Sequence, residues 1–169
     1  MNKEFIKVFY IRLIIQLLIF YSNINPITKI ILIFIVDNID SEVYRLKHKD
    51  VKLRLVNEYQ IVDKINDIIG YILCHDIIYK NNLISPDKFK LLTYLLIYRI
   101  IGCFIVYKTK NRALFLLFVD LYKEVFLLFY FIKNKKLFDL LFIAVLFIKL
   151  YVEYSFHYKT YYNIKKYKV

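Results

Sequence analysis

Long apolar runs alternate with short polar clusters along this chain, and that pattern predicts helices and little else. Runs over about 5–21, 27–40, 61–79, 89–107, 112–132 and 137–154 are separated by Ser, Asn, Pro and Lys clusters. Most approach the length of about 20 residues that a helix needs to cross a bilayer. Backbone polar groups in lipid must be satisfied internally, which favours helices over irregular chain. The expected fold is therefore all-α, a polytopic membrane protein with about six transmembrane helices, forming one integral membrane domain over 1–169.

The breaks are specific. Ser22-Asn23-Ile24-Asn25-Pro26 ends the first run, and Pro26 suits the first turn of the next helix. Ser85-Pro86 marks a turn after the third run, and Lys133 to Lys136 makes a basic one after the fifth. Residues 41–60 form the one long polar connection. No small-residue cleavage site follows the first run, so it reads as a retained helix and not a removed signal.

Composition agrees. Of 169 residues, 60% are hydrophobic, more than a soluble chain this small can hide. The net charge of +12 raises nucleic acid as a partner, but the basic residues sit between apolar runs, as in loops beside anionic lipid. No nucleic-acid role is expected. With a cytoplasmic N-terminus and six spans, the inside segments carry about twice the Lys and Arg of the outside ones, which the positive-inside rule requires. Both termini and the 41–60 connection are then cytoplasmic. Cys74 and Cys103 lie within apolar runs and form no CxxC motif, so neither a zinc site nor a disulfide framework is indicated.

The candidate chemistry is acidic. Asp37 and Asp40 stand three apart near the end of the second helix, and Asp63 and Asp67 stand four apart at the start of the third. Each spacing puts a pair on one helical face. The 41–60 segment can reverse the chain, so the two pairs can meet at one depth. Carboxylates there are costly unless solvated, paired or bound to cations. Mg²⁺ or Mn²⁺ suits an all-oxygen site beside phosphates, and two such ions could bind a diphosphate. One carboxylate could take the proton from an attacking hydroxyl. The bland alternative is four solvated interfacial aspartates.

Two stretches carry a resemblance: Asp37-Asn38-Ile39-Asp40-Ser41-Glu42-Val43-Tyr44-Arg45 and Tyr59-Gln60-Ile61-Val62-Asp63-Lys64-Ile65-Asn66-Asp67. They resemble the signature of the CDP-alcohol phosphatidyltransferase family, Asp-x-x-Asp-Gly-x-x-Ala-Arg followed by Gly-x-x-x-Asp-x-x-x-Asp. All four acidic positions match in order, and so does Arg45. The three small residues do not: Ser41, Tyr44 and Tyr59 stand in their places, and the gap between the two stretches is longer than usual.

The resemblance implies a six-helix membrane enzyme with a cytosol-facing site, commonly a homodimer. It would transfer a phosphatidyl or related group from a CDP-linked lipid to an alcohol acceptor, releasing CMP, in phospholipid synthesis. Asp37, Asp40, Asp63 and Asp67 would hold two Mg²⁺ or Mn²⁺ ions, Asp67 would be the base, and Arg45 and Ser41 would lie near the nucleotide. Tyrosines at two small-residue positions would crowd that pocket. The alternative is a non-catalytic small membrane protein, a scaffold or a degenerate family member.

Other polar residues inside the apolar runs have two readings each. Arg99 could bind substrate phosphate, or pair with Asp120 or snorkel. Lys149, Lys123 and Glu124 carry the same two readings less specifically, with Lys123 and Glu124 as members of structural ion pairs, and His75 and Asp76 read as structural residues of the third helix.

Overall fold

The computed structural model describes residues 3–47 and 57–155, and the side chains of 6–37 and 63–155. Among the described residues the fold is all-α: six α-helices and one short 3-10 helix. They are α1 (Lys3–Tyr21), α2 (Pro26–Lys47), α3 (Asn57–Lys80), α4 (Pro86–Thr109), the 3-10 helix Arg112–Leu116, α5 (Tyr122–Phe131) and α6 (Lys135–Glu153). The chain divides into two compact units, Met1–Asn82 and Leu83–Val169.

Local chemistry sets the helix ends. Pro26 opens α2, and the Asn25 side chain accepts from the Ile27 N–H at 3.0 Å. Pro86 opens α4, which closes on Lys110 in the left-handed region, φ 55°, donating its N–H to Val106. Asn111 and Asn134 cap the following helices by accepting from Ala113 and Leu137, both at 3.2 Å.

In the first unit α1, α2 and α3 pack mutually. α1 and α3 run in the same direction and α2 runs against both, as their paired residues show. Arg12 meets Asp37, Asp63 and Asp67. One turn on, Gln16 lies against Ile33 and Gly70 within the same narrow layer. Beyond that, Lys29 reaches the Phe20 carbonyl.

In the second unit α4 packs on the 3-10 helix and α5, and α6 packs on α5 and the 3-10 helix. One continuous helix was expected over 112–132; the chain instead breaks between Leu116 and Tyr122. In a continuous helix the carbonyls of Leu117 and Phe118 would accept backbone N–H groups one turn on. Here they accept from α4 side chains, the Tyr98 hydroxyl and, at 2.6 Å, Arg99 Nη1.

Both units turn their polar residues inward. On α1, Arg12 is 2% exposed while Leu18 is 67% exposed. On α3, Asn66 and Asp67 are buried while Ile65, Ile72 and Tyr79 are exposed. Arg99 on α4 and Glu153 on α6 are buried beneath exposed Ile97, Phe104, Phe147 and Tyr151. A helix facing water shows the reverse pattern. Among the described residues one helix, Pro86–Thr109, is by itself long and apolar enough to cross a bilayer. α5, at ten residues, rises only about 15 Å, half the hydrocarbon thickness.

Candidate functional site

The first unit brings three of its carboxylates into one layer. Apolar faces of α1, α2 and α3 pack around buried Ile30, Ile33, Tyr71 and Cys74, which fixes the three helices side by side. Arg12 then projects from α1 between α2 and α3. Its Nη2 contacts Asp37 Oδ1 and lies 2.6 Å from Asp67 Oδ1, and its Nη1 lies 3.1 Å from Asp63 Oδ1. Lys64 closes the layer from α3, with Nζ 3.1 Å from Asp63 Oδ2 and 2.8 Å from Asp67 Oδ2. Three of the four expected carboxylates are thus brought together from two helices.

The fourth, Asp40, lies in α2 three residues beyond Asp37, and Ser41 and Arg45 follow in the same helix. Their side chains lie outside the described residues, as do those of Tyr44 and Tyr59. Arg99 belongs to the second unit. Besides its bond to the Phe118 carbonyl, it lies 3.7 Å from Asp120 and 3.7 Å from Glu153, and its guanidinium sits over the Phe115 ring. The pairing alternative for Arg99 is therefore present, with Glu153 added. Glu124 pairs with Lys149 at 2.7 Å, and Asp76 with Lys80 at 2.7 Å.

The donor set suits a hard dication: three carboxylates present oxygens to one locus, with no sulfur or imidazole among them. The resident cation of that locus is Arg12. Among the described residues no group of three or more His, Cys, Asp or Glu is arranged to hold a metal ion. The carboxylates surround a planar guanidinium instead, a fork that matches them geometrically. Among the described residues Arg12 and Lys64 are cations facing these carboxylates. A dication entering here must share the locus with Arg12 or displace it.

Arg12, Gln16, Lys64 and Asn66 were not singled out from sequence. Gln16 is fully buried, and neither atom of its amide has a hydrogen-bond partner among the described residues. Asn66 Oδ1 is likewise buried without one. Gly70 provides the space: a Cβ there would lie 2.9 Å from Gln16 Nε2 and 3.3 Å from Ile33 Cγ2. The signal was available, since Arg12 and Gln16 stand four apart within an otherwise apolar run and so share a face.

No protein-family model, curated protein or solved structure matches the chain.

Proposed function

We propose that the protein is a membrane-embedded, divalent-metal-dependent CDP-alcohol phosphotransferase. It would move a phosphatidyl or related phospho-alcohol group from a CDP-linked lipid to an alcohol acceptor. The observation that carries this reading is the convergence of Asp37, Asp63 and Asp67, from two helices, on one buried locus. Carboxylates in an apolar bundle are costly, and such residues mark sites of ion or substrate handling. The inward polar residues and outward apolar faces of both units support a lipid surround.

Asp37, Asp40 and Asp63 would hold Mg²⁺ or Mn²⁺, with Asp67 touching metal as well. Two such ions, when bound, supply charge neutralisation for a diphosphate and polarise the phosphoryl group. Asp67 would take the acceptor hydroxyl proton. Its Oδ1 accepts from Arg12 and its Oδ2 from Lys64, two cations that lower its basicity until one withdraws. The acceptor oxygen forms the new bond to phosphorus, the bond from phosphorus to the CMP oxygen breaks, and CMP leaves with the electron pair. Arg12 would be freed to face the phosphates, where its fork suits their oxygens. Ser41 and Arg45, following Asp40 in α2, would flank the nucleotide. The site would face the cytoplasm, with both termini on that side.

A second reading is favoured by one specific observation, the position of Arg12. A guanidinium already compensating three carboxylates is also what a non-catalytic membrane protein would use to stabilise a polar core. The two readings part on one assay. Purified protein in detergent, given CDP-diacylglycerol and a panel of alcohols, should release CMP only with Mg²⁺ or Mn²⁺. Asp67→Asn should abolish the release. Absence of CMP release together with absence of metal binding favours the structural role.

A further inference from the structure

The other end of the first unit carries a pocket that the proposed reaction does not use. Its volume is about 360 Å³, and it is formed by the α1–α2 loop and the last turn of α3. Ser22, Asn23, Lys29, Asp76, Lys80 and Asn81 supply its polar lining. Thirteen residues of α3 separate Asp67 from Lys80, a rise of about 20 Å. The pocket is therefore distinct from the carboxylate layer.

Its charge is positive for identifiable reasons. Lys29 is half-buried, and its ammonium donates at 2.9 Å to a neutral acceptor, the Phe20 carbonyl. No carboxylate lies within ion-pair distance of it among the described residues. Lys80 is exposed and shares its charge with Asp76. Helices α1 and α3 also end here, each with one carbonyl taken by a side chain. The Ser22 hydroxyl donates to the Ile19 carbonyl at 2.6 Å, and the Asn81 amide donates to the Ile77 carbonyl at 2.8 Å. The α2 N-terminus, the positive end of its dipole, opens on the same pocket at Pro26. One positive charge is left over, and the volume lies within the range of small-ligand pockets. Leu18 and Tyr21 on α1 and Ile72 and Tyr79 on α3, in the turns that precede the pocket, are exposed.

We propose that this pocket binds a phosphate ester of net negative charge, one whose phosphate has no cation of its own beside it. The phosphate takes Lys29 and Lys80 as charge-assisted donors. An anionic phospholipid headgroup and a soluble phosphate monoester present the same chemistry. Phosphate binding here does not depend on the transferase reading.

The test uses the full chain in neutral detergent, titrated with phosphatidylglycerol, phosphatidylcholine and glycerol phosphate, and reads the unfolding midpoint. Phosphatidylglycerol should raise the midpoint saturably, and phosphatidylcholine should not. A parallel response to glycerol phosphate identifies the phosphate alone as sufficient; its absence identifies the lipid as the ligand. Lys29→Gln combined with Lys80→Gln should weaken binding about tenfold or more, and Lys29→Arg should retain it. Asp76→Asn, which releases Lys80, should tighten it severalfold, a measurement that stands even if the double variant does not fold. Equal responses to the two lipids with none to glycerol phosphate would overturn the proposal. So would unchanged binding in the double variant, or binding in Asp76→Asn that is no tighter than wild type.

Discussion

At the scale of single residues, the first unit depends on one cation. Arg12 faces Asp37, Asp63 and Asp67 at once, and its side chain is 2% exposed. Replacing it by Met leaves buried carboxylates with Lys64 as their remaining described cation. The expected cost is about 3–5 kcal/mol, read by thermal or denaturant unfolding without divalent ions. Millimolar Mn²⁺ should restore part of that loss, because a dication can do what the guanidinium did. An Arg12→Met protein as stable as wild type and indifferent to Mn²⁺ would show that the carboxylates are not electrostatically coupled. Gln16 behaves oppositely. Its buried amide has no hydrogen-bond partner among the described residues, so Gln16→Leu should raise stability by about 1–3 kcal/mol, visible as a higher unfolding midpoint. The aspartates were legible in the sequence because paired acids stand out against apolar runs. Arg12 was not, because its significance lies in what α2 and α3 place opposite it, and periodicity within one helix does not report that.

At the scale of elements, caps and breaks were the legible part. Pro26, Ser85-Pro86 and Asn134 each begin a helix close to where the sequence placed one. The second helix runs further than expected, to Lys47 instead of about 40, because no Gly or Pro interrupts the polar residues that follow Asp40. The break within 112–132 was illegible. It depends on Tyr98 and Arg99 taking the carbonyls of Leu117 and Phe118, contacts made by a different helix. That break also brings Phe118 hard against α4: a Cβ on Gly102 would lie 2.3 Å from the Phe118 Cβ. Gly102→Ala should therefore cost about 1–3 kcal/mol through overpacking. Gly70→Ala should cost less, since its nearest neighbour is the movable end of Gln16. Thermal unfolding of the two variants side by side checks the order, and the reverse order would contradict this packing.

At the scale of the whole molecule, the all-α class followed from the apolar runs, whereas the division into two units did not. The division is one of packing. Both units bury polar groups within an apolar core, with Arg12, Gln16, Asp67, Arg99 and Glu153 inside, while many aliphatic and aromatic side chains lie exposed. Water would leave that outer surface unfavourably exposed, and lipid would not. The chain should therefore stay with the membrane fraction through alkaline carbonate washing, and recovery in the soluble fraction would contradict a lipid surround. The central claim is that the converging carboxylates perform metal-dependent phosphoryl transfer. Its most direct measurement is CMP release from CDP-diacylglycerol across an alcohol panel, by wild type and Asp67→Asn, with and without Mn²⁺. The account predicts release by wild type with Mn²⁺ alone and none by the variant; release that ignores both Mn²⁺ and Asp67, or none under any condition, would contradict it.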